Sequence, residues 1–401
     1  MTAGEKGCFD SGRDLFTQIG SREWYRTQGF RYAAFFSEGC INSSFRSTAM
    51  SLNAAREQPL ATPVKTLHDG VRYESKKIQE CINDQISTAL RENGFAADGM
   101  APDTFTVSAQ EDACFTSCEL AETIQDVARD NEFDARLLLN NPIDYERRGR
   151  TVEVHIDDVG VKRQKKGEHA KGSDKKRVTI TALYIRYDNK AYRHCEPDLD
   201  SALRFVLGFL LHNNLLDLRL RFFTDGERQL KKRIFEFFSW HQDVSLILDW
   251  KHASKKPYDL LSMATYKKYK EPILNHVRRH LWHGQTQTVI DYLSNLPADQ
   301  VRNEGKMKEL IGYFERNLQH IPCYSVRKEL GLTNSSNRVE KTNDMLIAYR
   351  QKKKGMAWCP LGSLALGTLT AVKKNRQTQT WLRHKTIELT LVPIKPKKLA
   401  A

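Results

Sequence analysis

Three acidic residues are the side chains of this chain best suited to catalysis by their type and context: Asp157, Asp225 and Glu340. Asp157 lies near the end of the alternating stretch TVEVHIDD, and Asp225 follows the apolar stretch RLRFF. Glu340 opens the predicted helix NRVEKTNDMLIAYRQKKKG. Acidic residues at the carboxyl ends of strands lie where open α/β sheets gather their functional groups. If the fold brings these three together, they form an oxygen-donor site for two Mg²⁺ or Mn²⁺ ions.

Such a site would act on phosphodiesters. Two ions about 3.5 to 4 Å apart can activate an attacking hydroxyl and stabilise the leaving oxygen. Asp158 is an alternative first ligand, because either of the two neighbouring carboxylates could reach a metal. Asp249 and His252, in LDWKH, are possible accessory residues. The histidine could orient a phosphate, or the pair could simply cap and pack the start of a helix.

The elements that position these residues follow from hydrophobic periodicity. Residues 151–252 read as three strands, then helix, strand, helix and strand, which predicts an α/β core with a mixed sheet flanked by helices. Residues 253–335 carry apolar side chains at helical steps, broken at Pro272, Gly284 and Pro297, which predicts an all-α insertion. The insertion would therefore separate the last strand of the core from the helix of Glu340.

The remaining two regions are an N-terminal and a C-terminal one. Residues 1–150 are expected to form a mainly helical region for end recognition or assembly, although the first 60 residues show no clear period. A long amphipathic helix is predicted between Pro63 and Gly94, either as a packing helix or as an element for DNA-end recognition or dimerisation. Residues 336–401 are expected to hold the last core helix and a basic tail.

Positive charge is concentrated in the second part of the chain. The formal net charge is +14, yet residues 1–150 contain 17 Lys and Arg against 23 Asp and Glu. A positive field of this kind attracts a polyanion such as DNA or RNA. The basic run after Glu340 is either a solvated helix face or a set of contacts to the DNA backbone. The aromatic side chain of Trp282, in the insertion, could stack on a base or be buried in the helical core. The candidate DNA contacts are Lys162, Arg163, Lys165, Lys166, Trp282, Arg350, Lys352, Lys353 and Lys354.

Some classes of protein are disfavoured by composition. No apolar run approaches the roughly 18 residues of a membrane span, and the N-terminus has no apolar signal-peptide segment. The eight cysteines are scattered, unlike those of a small disulfide-stapled domain. We therefore expect a cytoplasmic protein with no membrane partner.

Five motifs in a fixed order resemble bacterial insertion-sequence DDE transposases, in the branches related to the Lre and Kra groups. The motifs are HIDDVGVKRQKK, FFTDGERQL, LILDWKH, LWHG and SNRVEKTNDMLIAYRQKKKGMAW. The resemblance implies a ribonuclease-H-like catalytic domain with a helical insertion before the glutamate. It also implies Mg²⁺-dependent cleavage at transposon ends and strand transfer to target DNA, with Asp157, Asp225 and Glu340 as the catalytic triad.

The resemblance has consequences for partners and location. Synapsis of two DNA ends implies a homodimer or a higher oligomer, and the setting would be bacterial and associated with the nucleoid. Two alternatives stay open from the sequence. One is a ribonuclease-H-like nuclease or resolvase without strand transfer, and the other is a domesticated transposase that binds DNA without catalysis.

Overall fold

The computed structural model describes residues 27–37, 39–54, 62–109, 115–139, 145, 150–165, 176–335, 341–353 and 355–394. Glu340, Lys166 and Lys354 lie outside the described residues, so the predictions made for them stay predictions.

Before the sheet, the described helices are α1 Gln28–Arg31, continued by a π-helical turn Tyr32–Phe36, α2 Phe45–Ala54, α3 Val64–Glu92, α4 Ser117–Asp130 and α5 Ala135–Leu139. The expected helical character of the N-terminal region is thereby confirmed for its described residues.

A six-stranded mixed sheet forms the centre of the protein. Its strands are β1 Thr151–Lys162, β2 Arg177–Tyr187, β3 Lys190–Glu196, β4 Arg219–Thr224, β5 Val244–Leu248 and β6 Val392–Pro393. The order across the sheet is β5-β4-β1-β2-β3-β6. β1, β2 and β3 are antiparallel neighbours, whereas β1, β4 and β5 run parallel. The prediction of an α/β fold with a mixed sheet is confirmed.

The helices that follow the first three strands fall into three groups. Two connect strands of the sheet: α6 Leu199–His212 and α7 Arg228–Phe237. Five follow β5: α8 Trp250–Ala264, α9 Lys267–Trp282, α10 Thr286–Ser294, α11 Glu304–Asn317 and α12 Tyr324–Glu329. The last group is a π-helical turn Asp344–Ala348, α13 Tyr349–Gln351, α14 Pro360–Lys374 and α15 Thr378–His384.

The helices α6 and α14 pack on the sheet, and α3 packs against both of them. The predicted long helix is confirmed as α3, with Pro63 as its N-cap and Gly94, at φ +79°, just beyond its end. Its apolar stripe lies in the main core, so packing is a role that the structure supports for it. The backbone of α6 approaches α3 closely at Gly208, where a Cβ atom would lie 2.5 Å from the Ile86 side chain.

The helices after β5 enclose a second apolar core, which includes Leu261, Leu274 and Phe314. The prediction that Pro272 breaks a helix here is wrong, because Pro272 lies inside α9. A proline costs a helix one backbone hydrogen bond, and burial of Leu274 and its neighbours in this core offsets that loss. Within the part of the chain that the structure describes, no helix has both the length and the apolar character needed to cross a membrane.

Candidate active site

Asp157 and Asp225 lie level with each other on two adjacent parallel strands. The register of β1 with β4 ends with His155 opposite Phe223, and each aspartate lies two residues further along its own strand path. β5 pairs with β4 as far as Leu248 opposite Thr224, so Asp249 follows at the same edge. Because carboxyl ends of parallel strands share one edge of a sheet, three acidic residues from three neighbouring strands are gathered there.

The Asp157 carboxylate is partly buried. Burial, and next the negative charge of Asp225, raise its pKa to about 6. The side-chain amide of Asn343 donates a hydrogen bond to Asp157 Oδ2. Asn343 lies three residues after Glu340, and the sequence placed both on one helix face without assigning Asn343 a function. The chain that follows Glu340 is therefore held against the first aspartate.

Asp158 lies on the other side of β1 and is exposed. Its Oδ1 accepts a hydrogen bond of 2.6 Å from Thr181 Oγ1 on β2. This arrangement follows from strand alternation, which directs neighbouring side chains to opposite faces. Of the two adjacent carboxylates, Asp157 is the one held by Asn343, and this favours Asp157 as the first ligand.

Asp225 starts the turn between β4 and α7. Its Oδ1 accepts a hydrogen bond of 2.8 Å from the Glu227 backbone N–H, and its carbonyl oxygen accepts one of 3.3 Å from the Tyr313 hydroxyl. Gly226 adopts φ +87°, where a side chain would be strained and its Cβ would lie 2.8 Å from Leu248 Cδ1. The glycine in TDG thus allows a tight turn that leaves the aspartate at the edge of the sheet.

The LDWKH motif serves as a helix cap and also brings a histidine to the site. Asp249 is fully buried, and its Oδ1 accepts hydrogen bonds from the backbone N–H groups of Lys251 and His252, at 2.7 and 3.2 Å. The capping interpretation of Asp249 is confirmed. His252 lies close enough to Asp157 to lower the pKa of that carboxyl electrostatically, against the raising effects of burial and Asp225.

A buried ion pair on the same face of β1 was not anticipated from the sequence. Arg186 Nη1 lies 3.1 Å from both carboxylate oxygens of Glu153, and Thr333 donates to Glu153 Oε1 at 2.7 Å. Burial raises the pKa of Glu153, but His155, Arg186 and Thr333 together lower it to about 2. Strand alternation could have placed Glu153 near the site, because Glu153 lies four residues before Asp157 and therefore on the same face of β1.

This ion pair anchors the segment that leads toward Glu340. Thr333 lies seven residues before Glu340 in the sequence, and its carbonyl oxygen accepts a hydrogen bond of 3.0 Å from Arg327 Nη2. The next residue, Asn334, accepts a hydrogen bond of 3.1 Å from the backbone N–H of Trp250 through its carbonyl. The chain is therefore fixed to the sheet and to α8 at Thr333 and Asn334.

Asp157 and Asp225 suit a divalent cation. Two like-charged carboxylates near each other raise one another's pKa unless a cation intervenes, and the charge of Asp225 adds to the larger effect of burial in raising the pKa of Asp157. Mg²⁺ is commonly held by one or two carboxylates together with water and substrate phosphates. Among the described residues no group of three potential metal ligands occurs, and Glu340 is outside them.

We expect Mg²⁺ binding to strengthen as the pH rises from 5 to 7. A native pKa of about 6, above the ordinary value of 3.8, means that Asp157 stays protonated in the metal-free protein at pH values where the unfolded chain is ionised. Metal must displace that proton, so the apparent affinity should rise about tenfold over this interval and level off above it. The same proton makes the metal-free protein lose stability as the pH rises from 3.8 toward 6.

Calorimetric titration of Mg²⁺ or Mn²⁺ at several pH values measures this dependence. In the Asp157→Asn variant the remaining pH dependence between 5 and 7 should be small. An affinity of the unaltered protein that does not change across this interval would contradict the assignment of Asp157 as a ligand.

The two basic segments of the sequence converge on one side of the protein. Arg163, just beyond β1, forms an isolated parallel bridge with Trp358. The Trp358 N–H donates to the Lys162 carbonyl at 2.9 Å. Lys162 and Lys165 are exposed, as are Lys352 and Lys353. The exposed lysines at both ends of this contact are available to a polyanion, so their predicted role in DNA binding stays open.

Two other predicted DNA contacts lie elsewhere than the sequence suggested. Arg350 is 3% exposed, so it is buried, unlike the described lysines that follow it, and its predicted contact with a DNA phosphate stays a prediction. It points inward because its helix packs against the core through Ile347 and Gln351. Trp282 is partly buried, with its ring 4.7 Å from that of Trp250. The packing interpretation fits Trp282, and stacking on a base stays a prediction.

Comparison of the chain with known protein families and with curated proteins finds no match.

Proposed function

We propose that this protein is a DNA transposase of the DDE type, built on a ribonuclease-H-like core and encoded by a bacterial insertion sequence. The observation that carries the proposal is the position of Asp157 and Asp225, level on adjacent parallel strands and close enough for the charge of Asp225 to raise the pKa of Asp157. The mixed six-stranded sheet, in which three antiparallel strands are continued by two parallel ones, is compatible with such a core.

Asp157, Asp225 and Glu340 would hold two Mg²⁺ or Mn²⁺ ions. When bound, such ions supply Lewis-acid stabilisation of the attacking and leaving oxygens of a phosphodiester. The protein's own groups would set the geometry. Asn343 holds the Asp157 carboxylate in place, and the Gly226 turn keeps Asp225 at the edge of the sheet. His252, beside Asp157, is suited to orient a phosphate oxygen.

DNA is the substrate that the charge distribution supports. Lys162, Lys165, Lys352 and Lys353 are exposed on two segments that meet at the Arg163–Trp358 bridge. Lysines placed along one surface neutralise phosphates without reading sequence. The N-terminal 150 residues, which carry an excess of acidic side chains, would contribute to end recognition or assembly. Two ends and one target imply at least a homodimer, acting at the bacterial nucleoid.

Joining of DNA strands is the test that separates this function from its alternatives. The substrate is a duplex that carries the DNA flanking this gene, already cut to expose a 3′-hydroxyl, mixed with a supercoiled target plasmid. We expect Mg²⁺-dependent covalent joining, seen as labelled, relaxed plasmid on a denaturing gel. EDTA should abolish the reaction because the carboxylates then have no cation to hold.

The other outcomes favour the competing functions. Plasmid or end cleavage without joining would indicate a nuclease or resolvase, and DNA binding with neither reaction would indicate a non-catalytic binding protein. A duplex of unrelated sequence serves as the control, and equal joining of both duplexes would contradict an element-specific transposase.

A further inference from the structure

A small cavity next to the basic segments is lined by cationic side chains. It has a volume of about 240 Å³, and its lining includes Phe45, His68, Arg72, Gln164, Arg350 and Trp358. The cavity lies between α3, the end of the β1 strand path and the start of α14. Drug-sized ligands occupy pockets of roughly 300 to 1,000 Å³, so this cavity suits a small group rather than a whole nucleotide.

Arg350 is a buried cation without an anionic partner among the described residues. Its Nε donates to the Cys40 carbonyl at 3.0 Å, and its Nη1 contacts Met356 Sδ. The guanidinium lies 5.1 Å from the ring centre of Trp358 and 5.8 Å from that of Phe45. These aromatic faces offset part of the burial cost, but they accept no conventional hydrogen bond. An arginine has five N–H donors, and the contacts with Cys40 and Met356 engage only two of them on a residue that lines the cavity.

A second arginine reaches the same cavity from α3. Arg72 is an exposed residue, and its Nη2 lies 3.3 Å from Cys359 Sγ. His68, one helical turn earlier, stacks on Phe45 with ring centres 3.7 Å apart. Burial, and next the charge of Arg72, lower the pKa of His68; the negative charge of Asp69 opposes this effect, and Arg350 adds to it. The local field is therefore positive, and no carboxylate is among the described residues that line the cavity.

The start of α14 adds a further positive contribution. Cys359 is the N-cap of this helix, and its Sγ accepts a hydrogen bond from the Gly362 N–H at 3.3 Å. A thiol is a weak acceptor compared with the oxygens that usually cap helices. The dipole of a helix makes its N-terminus attractive to anions. Here it lines the cavity together with two guanidinium groups.

We infer that this cavity binds a phosphate group. Arg72 and Arg350 would donate charge-assisted hydrogen bonds to its oxygens, as paired arginines do for phosphates. The phosphate could belong to a polynucleotide strand or to a small phosphorylated molecule. Only the polynucleotide strand as a source rests on the proposed function. Its support is Gln164, which lines the cavity and lies beside the exposed basic residues at the end of β1.

The first experiment measures binding of inorganic phosphate to the full chain by calorimetry, with EDTA present and ionic strength held constant with NaCl. Arg72→Gln should weaken phosphate binding about tenfold, the effect of one charge-assisted hydrogen bond. The control is Arg91→Gln, an exposed arginine near the end of the same helix, which should leave the affinity unchanged. Arg350→Met should also weaken binding, and if it does not fold, Arg72→Gln alone decides.

Phosphate that fails to bind, or that binds Arg72→Gln as tightly as the unaltered protein, overturns the inference. If phosphate binding depends on Arg72 but the protein does not join DNA strands, the phosphate site stands and the proposed transposase function is contradicted.

A second arm identifies the source of the phosphate. Arg72→Gln should weaken DNA binding and reduce the slope of log affinity against log salt by about one unit if the occupant is a strand phosphate. Unchanged DNA binding together with weaker phosphate binding identifies a small phosphorylated ligand instead.

Discussion

Asp225→Asn should reduce Mg²⁺-dependent joining and cleavage by about a thousandfold, because bound metal is worth several kcal/mol of transition-state stabilisation. The variant keeps the side-chain shape and an oxygen that can accept the hydrogen bond from the Glu227 N–H. The fold should therefore survive while the charge that holds the metal is lost. The measurement is the initial rate of strand joining at saturating Mg²⁺, compared with the unaltered protein.

A second readout ties this loss to the site rather than to general damage. The charge of Asp225 raises the pKa of Asp157, so its removal should bring that pKa down toward the ordinary value of 3.8. Asp259→Asn, on the exposed surface of α8, is the matched control and should leave both the rate and this pKa unchanged. A variant that joins DNA at the normal rate would rule out Asp225 as a metal ligand.

The sequence predicted the pair of aspartates for a physical reason. β1 and β4 read clearly because apolar side chains alternate or run together, and each aspartate follows a buried stretch. Whether the two aspartates lie next to each other depends on the parallel register of β1 and β4, which periodicity does not specify. The structure supplies it, with His155 opposite Phe223 in the register of β1 and β4.

Other residues of the site could not be predicted in the same way. Glu153 and Arg186 pair across two strands, and such a pairing depends on register alone. Arg350 reads as part of a basic run, because a sequence pattern does not tell which residue of a helix end turns inward. Pro272 was read as a helix breaker, although a second apolar core holds the helix through it. In each case tertiary packing overrides the local preference.

Glu153→Gln should destabilise the protein by about 3 kcal/mol, because it leaves the Arg186 guanidinium buried without its charge partner. Side chains of the pair are only 15% and 8% exposed, so water cannot replace the lost interaction. The exposed pair of Lys77 and Glu80, whose side chains are 49% and 44% exposed, supplies the control. Glu80→Gln should leave the free energy of unfolding nearly unchanged, because solvent screens an exposed ion pair.

The effect of Glu153→Gln should depend on pH in a defined direction. The pKa of Glu153 is lowered to about 2 from the ordinary 4.5, so its stabilising contribution is present above pH 4.5 and is lost as the pH falls toward 2. The difference between the variant and the unaltered protein should therefore shrink on acidification. Urea unfolding at pH 7 and at pH 3.5 measures it, and an equal or larger difference at pH 3.5 would contradict the ion-pair assignment.

Removal of both charges separates the ion pair from simple packing. Because a buried pair replaced by apolar side chains of similar size is often close to neutral, Glu153→Leu combined with Arg186→Met should unfold at a higher urea concentration than Glu153→Gln. The double variant still loses the Thr333 hydroxyl's acceptor on the sheet. We therefore expect it to be more stable than Glu153→Gln but to join strands more slowly than the unaltered protein, since the segment that leads to Glu340 has lost its anchor. Recovery of both stability and joining would show that Glu153 contributes to stability without positioning that segment.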